Sequence, residues 1–236
     1  MACSNDRANE AGFATAAAMT VSMGLAMVAA GLMAASATEL KRERTELAKT
    51  RTEYALDEAQ HRAVLGLLQN DVAGRLRWQV ETDLGSATVL AEPEYAKASL
   101  SKSAAADDRV FERLGVDDAD ELKAQLRQSP PEAGGQAWLA SLDPAPLWRA
   151  CAPSMISRYG GGDTLVVGRV GSPDQRGFFW RPGEVWRVKT SLKGWADDRI
   201  VRFTGDDQSP AATIERRFLR TDGRDDLCDT IFSQGA

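Results

Sequence analysis

The stretch that decides the fold is residues 11–38, AGFATAAAMTVSMGLAMVAAGLMAASAT, which contains no Asp, Glu, Lys, Arg or His. An α-helix of this length, rising about 1.5 Å per residue, would be roughly 42 Å long. The hydrocarbon core of a bilayer is about 30 Å thick, so the segment is long enough to cross it. We therefore expect the rest of the chain either to hang from this helix or to be released from it by cleavage.

The composition excludes some classes of function. The chain has 236 residues and a formal net charge of -5, and His61 is its only histidine. The negative charge argues against nucleic acid as a partner, because nucleic-acid binding needs a basic surface. A single histidine argues against a histidine-based zinc site and removes the commonest general base. The roughly 195 residues outside the leader and the apolar segment are enough for one hydrophobic core with extensions.

Three interpretations of the apolar segment remain open from its residues. The first is a plain transmembrane anchor, although an Ala- and Gly-rich span inserts less favourably than a Leu-rich one. The second is a signal peptide, because Ala35, Ser36 and Ala37 form the A-x-A pattern that signal peptidase prefers. The third is a prepilin-type signal, in which the polar leader ends in Gly, here Gly12, and the next residue is Phe, here Phe13.

The residues after the apolar segment continue a helical pattern. From 39 to 77 there is no Pro, and the first Gly is Gly66. An apolar stripe recurs at helical spacing; its members are Leu40, Leu47, Tyr54, Ala55, Leu56, Ala59, Val64, Leu67, Leu68 and Val72. We predict one uninterrupted helix of about 60 residues, with His61 on its solvated side and without a role. A juxtamembrane coiled coil is the alternative interpretation.

Residues 78–150 lack a clear hydrophobic period, so we predict an irregular connection with short helical pieces. One helix is predicted over 117–128, with acidic residues at its start and Ser129-Pro130-Pro131 at its end. The aspartates of this region do not have the spacing of a calcium loop, which favours a solvated face over a metal site; they are Asp107, Asp108, Asp117, Asp118 and Asp120.

Residues 151–236 change to a period-two pattern that is typical of strands. Strands are predicted over 164–170, 178–180 joined by a hairpin to 184–190, 199–204 and 212–220. Trp186, Val188 and Thr190 would share one face of the sheet, while Ile214 and Phe218 would point inward. Sequential strands with short turns predict an antiparallel meander. A long helix packed on such a sheet gives a two-layer α+β fold.

The sequence carries no motif of known catalytic chemistry. Gly160-Gly161-Gly162 is not followed by GK[ST], so we predict a flexible turn and not a phosphate loop. The motifs G-x-S-x-G, H-E-x-x-H and C-x-x-C do not occur. We therefore assign no catalytic residue, no metal ligand and no cofactor, and we do not expect an enzyme.

The three cysteines fall into two groups. Cys3 precedes the apolar segment, whereas Cys151 and Cys228 flank the predicted sheet. One pair plus one separated cysteine suits an exported protein with a single disulfide. A bond between Cys151 and Cys228 would close a loop of about 78 residues. Two buried free thiols are the alternative.

At Gly12-Phe13 the sequence resembles the type IV pilin and type II secretion pseudopilin superfamily. The segment YALDEAQHRAVLGLL at 54–68 and the C-terminal runs GEVWRVKTSLKGWADDRIVRFTGDD and ATIERRFLR are similar to K-type minor pseudopilins. The resemblance implies that a prepilin peptidase cuts after Gly12 and that Phe13 is then methylated. Most members have a docking Glu as the fifth mature residue. Here that residue is Ala17, and K-type members also lack the Glu.

The resemblance implies a minor pseudopilin of a type II secretion system, at the tip of the pseudopilus. Its implied location is the bacterial inner membrane, single-pass, with the C-terminal part in the periplasm. The implied partners are other pseudopilins of the filament, the prepilin peptidase and the inner membrane. The predicted organisation is a leader over 1–12, a transmembrane helix over 13–38, its amphipathic extension over 39–77, the connection over 78–150 and a pilin-like antiparallel β head over 151–236.

K-type members usually carry a helical insertion with Asn-rich motifs and calcium sites. Because Asn occurs here only at positions 5, 9 and 70, we expect that insertion to be missing or reduced. Two other functions stay open: a single-pass or secreted β-rich binding module in the periplasm, and a minor pilin of a type IV pilus. A basic cluster after the apolar segment argues for the cytoplasmic side by the positive-inside rule and has no explanation in the export hypothesis; it comprises Lys41, Arg42, Arg44, Lys49 and Arg51.

Overall fold

The computed structural model describes residues 6–69, 74–128, 135–162, 165, 170–171, 182–221 and 228, with side chains from residue 15 onward except at 170–171. The chain divides into two compact units, Met1–Arg51 and Thr52–Ala236. The first element is helix α1, Asp6–Gln69, which runs for 64 residues without interruption. The predicted long helix is therefore confirmed.

Within the first unit, α1 exposes every side chain from 15 to 51. Its hydroxyl groups bond to backbone carbonyls one turn earlier, as in Thr20 Oγ1 to Ala16 O at 3.1 Å and Ser36 Oγ to Leu32 O at 2.8 Å. Such internal bonds satisfy polar groups that would have no partner in lipid. Among the described residues, α1 is the one helix long and apolar enough to cross a membrane, with a mean hydropathy of 1.8 in its most apolar window.

The described strands of the second unit form one sheet in the order β3-β1-β2-β4-β5-β6. β3 runs parallel to β1, and every other neighbouring pair is antiparallel. The predicted α+β fold, a long helix packed on a small antiparallel sheet, is confirmed. The strands are β1 Arg75–Thr82, β2 Gly85–Pro93, β3 Val170–Gly171, β4 Val185–Leu192, β5 Trp195–Phe203 and β6 Ala211–Arg220.

The last turns of α1 pack on one face of this sheet. Their buried residues are small or aliphatic, and they contact the alternate residues of the central strands; the helix supplies Leu56, Ala59, Ala63 and Leu67, and the sheet supplies Val89, Ala91, Trp186, Val188, Val201 and Phe203 among others. Gln60 donates from Nε2 to Val188 O and to Asp197 O, at 2.7 Å each. One buried amide therefore ties the helix to two neighbouring strands. The predicted shared face of Trp186, Val188 and Thr190 is buried.

A helical unit, residues 94–155, lies between β2 and β3 in the chain. Its core surrounds Phe111 and Trp148, whose ring centroids are 6.2 Å apart. The short helical pieces predicted over 78–150 are therefore present, and they pack around one core. The unit comprises a 3-10 turn, Glu94–Ala96, and the described helices α2 Leu100–Ser103, α3 Asp108–Arg113, α4 Ala119–Arg127, α5 Gln136–Ser141 and α6 Pro146–Met155.

Two of the aspartates predicted to lie on a solvated face cap helices in the helical unit. Asp107 accepts from Arg109 N at 3.0 Å at the start of α3, and Asp118 accepts from Glu121 N at 2.9 Å at the start of α4. Such caps satisfy amides that have no partner inside the helix. The predicted helix over 117–128 thus corresponds to α4, with its cap at Asp118.

The predicted end of the helix at residue 77 is wrong, and the predicted start of the β head at 151 falls within a helix, Pro146–Met155. The helix ends at Gln69, and β1 and β2 occupy residues 75–93, which the sequence analysis places in the helix extension and the irregular connection. Residues 75–93 form a hairpin in which apolar and polar side chains alternate over only a few positions. Leu76 and Trp78 face α1 and pair with Ala91 and Val89. Gly85, with φ of +120°, closes the turn in a conformation that suits glycine.

The strand predictions for 151–236 hold in part. β5 begins at Trp195 and not at 199, because Lys193 and Gly194, with φ of +51° and +78°, form a two-residue hairpin turn after β4. Residues 178–180, the first arm of the predicted hairpin, and most of 164–170 lie outside the described residues. β4 pairs with β2 on one edge and with β5 on the other.

Three side chains that the sequence places on apolar faces are less buried than predicted. Ile214 is 37 % exposed, because a bulge opposite Ile200 and Val201 shifts the register of β6 and leaves Ile214 outside it. Tyr54 is 74 % exposed, although Thr52 and Ala55 on either side of it are buried. Phe218 meets its prediction in part, since it is half-buried and stacks on Trp195 with centroids 5.0 Å apart.

The segment Gly160-Gly161-Gly162, predicted to be a flexible turn, is held by backbone hydrogen bonds. Gly161 N and Gly162 N donate to Tyr95 O and Lys97 O, each at 2.9 Å. A Cβ on Gly160 would lie 2.5 Å from Lys97 O, which no side chain tolerates. The three glycines therefore let this segment lie against the backbone at the start of the helical unit.

Replacing Leu56 with Ala tests the contact between α1 and the sheet. Leu56 is fully buried, so we expect a loss of about 2–5 kcal/mol in the free energy of unfolding. Denaturant unfolding of the full chain in micelles, followed by circular dichroism, measures it. The control is Leu65→Ala on the same helix: Leu65 is 51 % exposed, and we expect about 0.5 kcal/mol or less. Equal losses for the two variants would contradict the packing described here.

Candidate functional site

The sequence-predicted processing positions all lie in α1. Gly12 and Phe13 are helical in backbone, and their side chains lie outside the described part. Ala17 is exposed, and its carbonyl accepts from Thr20 Oγ1 at 2.9 Å. These positions belong to the first unit, and the two cysteines belong to the second.

Cys151 and Cys228 are joined. Their sulfurs are 2.16 Å apart and both residues are buried in the core of the helical unit. The bond closes a loop with a sequence separation of 77. Removing that much loop entropy from the unfolded chain corresponds to about 4.5 kcal/mol in the chain-entropy model. The disulfide therefore attaches the chain beyond β6 to helix α6.

A neutral network of six buried or nearly buried ionic side chains separates the sheet from the helical unit. We call it the ionic layer; it comprises Arg75, Glu92, Glu94, Lys97, Arg187 and Asp198. All six are under 8 % exposed in their side chains. Three positive and three negative charges balance one another. Because the layer lies on the sheet face opposite α1, the two faces are held by different forces.

Glu92 is the centre of the ionic layer. Its Oε1 accepts from Arg75 Nε at 2.6 Å, and its Oε2 accepts from Arg187 Nη1 at 3.2 Å and lies 3.3 Å from Lys97 Nζ. Lys97 also donates to Glu94 and, at 2.8 Å, to Pro153 O on α6. One carboxylate on β2 thus receives cations from β1, β4 and the helical unit.

Arg187 carries the second link across the interface. Its guanidinium makes a two-pronged pair with Asp198, Nε to Oδ1 at 2.9 Å and Nη2 to Oδ2 at 2.8 Å. It also donates from Nη1 to Ser154 Oγ on α6 at 2.9 Å. The amide of Gln136, at the start of α5, lies 2.6 Å from Asp198 Oδ2 and 2.9 Å from Arg187 Nε. Arg187 and Asp198 therefore link strands β4 and β5 to helices α5 and α6.

Burial and pairing act in opposite directions on these groups. Burial alone would raise the pKa of Glu92, but Lys97, Arg187 and Arg75 lower it to about 2. Burial also opposes the charge of Asp198, and Arg187 beside it holds the pKa of that carboxyl below its usual value. Both carboxylates therefore stay ionised at neutral pH.

A second ionic cluster ties α1 to the sheet. Asp197, fully buried on β5, accepts from Arg199 Nε at 3.1 Å and lies 3.0 Å from Arg216 Nη2. The same two arginines reach acidic residues on α1, Arg199 to Asp57 and Arg216 to Glu53. The helix is therefore oriented on the sheet by charge as well as by apolar contact.

A concave surface adjoins the ionic layer between α6 and the sheet. Its volume is about 370 Å³, and its described lining includes a single carboxylate, Asp198. We call it the basic cleft, because its cationic side chains are those of Arg75, Arg149, Arg187, Lys189 and Arg217. Leu90, Leu219 and Pro153 add apolar surface to its walls. This surface contrasts with the negative net charge of the whole chain.

The site can bind charge, but its described groups show no catalytic pairing. Glu92 and Asp198 have their oxygens occupied by arginine or lysine, and His61 is exposed on α1 beside Asp57. Within the described ranges no group of three His, Cys, Asp or Glu could hold a metal ion. Electrostatic recognition of an anion is the chemistry that this arrangement supports.

The sequence analysis gave no role to any member of the ionic layer or the basic cleft. A partial signal exists: Arg187 and Lys189 alternate with buried Trp186 and Val188, so they must occupy the sheet face opposite α1. Their partners could not be read, because Glu92 precedes Arg187 by 95 residues and lies in a strand that the sequence analysis missed.

No family model matches the chain, and no curated protein or solved structure matches it either.

Replacing Glu92 with Gln removes the central charge at constant size. At neutral pH we expect a loss of about 3–5 kcal/mol in unfolding free energy, because buried cations lose their counter-charge. The folded-state pKa lies below the ordinary 4.5, so the contribution of Glu92 is complete above that pH and is lost as the pH falls toward about 2. The gap between variant and wild type should shrink over this range in denaturant titrations.

The matched control is Glu112→Gln on the exposed surface of α3, which should leave stability unchanged at every pH. A gap between Glu92→Gln and wild type that stays constant down to about pH 2 would contradict the role given to this carboxylate.

Proposed function

We propose that this chain is a minor pseudopilin-like subunit of a type II secretion system. In this proposal α1 anchors it in the bacterial inner membrane, and the second unit lies in the periplasm. The main support for the proposal is that the two parts of α1 have different surroundings. Its apolar part exposes its side chains, while its last turns pack on an antiparallel sheet.

The exposed apolar part of α1 needs a non-aqueous environment. Its large side chains, including Met19, Leu25 and Leu32, are each more than 60 % exposed, which in water would be unfavourable by roughly 25 cal/mol for each Å² of apolar surface. The bilayer would shield this surface before assembly, and the helices of neighbouring subunits would shield it within a filament. Lateral packing of helices, without any bond-making step, would then do the mechanical work of export.

Two features of the second unit support export and the K-type resemblance. The disulfide between Cys151 and Cys228 suits an oxidising compartment such as the periplasm. The helical unit, inserted between β2 and β3, supplies the kind of insertion that K-type pseudopilins carry. Its acidic residues Asp107 and Asp118 cap helices, so the proposal includes no calcium site there.

Ala17 supports a place at the tip of the filament. In the superfamily that this chain resembles, a Glu at this position contacts the N-terminal amine of a neighbouring subunit. A methyl side chain cannot neutralise that amine. A subunit at the tip needs no such contact on its outer side, so the missing carboxylate is compatible with that position.

Processing is tested by the intact mass of the full chain produced in cells that contain a type II secretion system. We expect a mature protein that begins at Phe13 and carries one methyl group on its amine. Gly12→Val should abolish the cleavage, because the peptidase acts after that glycine. Gly24→Val is the matched control: a side chain there meets open space in the same helix, so processing should be unchanged. A mature chain beginning at Thr38 would indicate a secreted domain, and one beginning at Met1 or Ala2 an ordinary anchor; each would overturn the proposal.

The position in the filament is tested by immunogold labelling of isolated pseudopili. We expect one label at one end of each filament and none along the shaft. Ala17→Glu restores the carboxylate that shaft subunits use, and we expect some labels to move into the shaft. Wild-type protein labelled along the whole shaft would exclude the tip position.

A further inference from the structure

We propose that the basic cleft binds a small multivalent oxyanion, a molecule that presents two or more carboxylate or phosphate charges. The cleft is bounded by α6 on one side and by β2, β4, β5 and β6 on the other. It lies wholly within the second unit, and this inference does not depend on the proposed function.

Charge is the first argument. Five cationic side chains line the cleft, those of Arg75, Arg149, Arg187, Lys189 and Arg217, and one carboxylate accompanies them in the described lining. The ionic layer is neutral by itself, so the cleft cations outside it add net positive charge; they are Arg149 on α6 and Lys189 and Arg217 on the sheet. Three cations on the two walls of this cleft, in a chain with net charge -5, make a local positive field.

The position of Asp198 is the second argument. It pairs across the strands with Lys189 on β4 and with Arg217 on β6, so the three side chains form one row on the cleft face. Both oxygens of Asp198 are taken by the guanidinium of Arg187, at 2.8 and 2.9 Å. Arg187 therefore balances the charge of this carboxylate. Arg217 makes no ion pair within the part of the chain that the structure describes.

Rigidity is the third argument. Arg75 and Arg187 are almost fully buried and held by Glu92 and Asp198, so they are ordered before a ligand arrives. On the opposite wall, Arg149 donates from Nε to Asp143 O at 3.3 Å. Cations that are already ordered lose little side-chain entropy on binding.

Size sets the class of ligand. A volume of about 370 Å³ falls at the lower end of the usual range for small-molecule sites, roughly 300–1,000 Å³. A compact ligand fits this volume, and it needs several negative charges to meet cations on both walls. Guanidinium groups bind carboxylate and phosphate oxygens in a two-pronged geometry, so both chemistries suit the cleft.

The test is calorimetric titration of the full chain in micelles of a neutral detergent. The probes are citrate, inorganic phosphate and acetate. We expect saturable binding of citrate or phosphate and none of acetate, whose single charge cannot bridge the walls. Citrate binding alone identifies carboxylates as the ligand groups, and phosphate binding alone identifies a phosphate group.

Variants locate the site. Arg217→Gln should weaken binding about tenfold, because one charge-assisted hydrogen bond is lost. Arg149→Gln, on the opposite wall and exposed, should weaken it similarly and covers the case in which Arg217→Gln fails to fold. The matched control is Arg202→Gln on β5, an exposed arginine outside the cleft lining, which should leave binding unchanged.

Three results would overturn the proposal. The first is no saturable binding of citrate or phosphate up to about 10 mM, since weaker contacts are not specific. The second is equal weakening by Arg202→Gln, which would indicate a general charge effect. The third is binding of a polyglutamate peptide without binding of either small anion, which would assign the surface to an acidic protein segment.

Discussion

The second unit depends on a single buried charge, the carboxylate of Glu92. It receives Arg75 at 2.6 Å, Arg187 at 3.2 Å and Lys97 at 3.3 Å, and these cations come from three different elements. Without that charge, the three buried cations of the ionic layer would have only two carboxylates, Glu94 and Asp198, as counter-charges. Desolvating charged groups is favourable only when partners and geometry are complete. The join between sheet and helical unit is therefore strongly destabilised when any one of these partners is removed.

The two faces of the sheet solve the same packing problem in different ways. Against α1 the contact is apolar, through Leu56 and Ala59, and a change of shape there is met by local repacking. Against the helical unit the contact is ionic, and its distances allow only one arrangement of Arg187, Asp198 and Ser154. Apolar contact supplies stability on the first face, and directional pairing fixes orientation on the second. The disulfide at Cys151 lies on the ionic side of the sheet, within the apolar core of the helical unit.

The fold could be predicted from the sequence where one periodicity ran long enough. Residues 11–68 predict the long helix, and the alternation of Trp186 and Val188 predicts β4 and its buried face. β1 was missed because its Leu76 and Trp78 directly follow a helical stripe, and the change of period becomes clear only at the turn at Gly85. The ionic layer could not be predicted, since pairing between strands decides which charges meet. Glu92 and Arg187 become neighbours only through the register of β2 and β4.

The same pairing explains why the basic cleft and the ionic layer occur together. An arginine buried for structural reasons needs a carboxylate, and that carboxylate cancels its charge. Arg187 and Asp198 form such a pair, and the strand register then places Lys189 and Arg217 on either side of Asp198. The row therefore holds two cations and one carboxylate, and that carboxylate is also paired with Arg187, so the row carries a net positive charge. The interface that orients the helical unit thereby leaves a basic wall at its edge, and α6 closes the opposite side with Arg149 and Pro153.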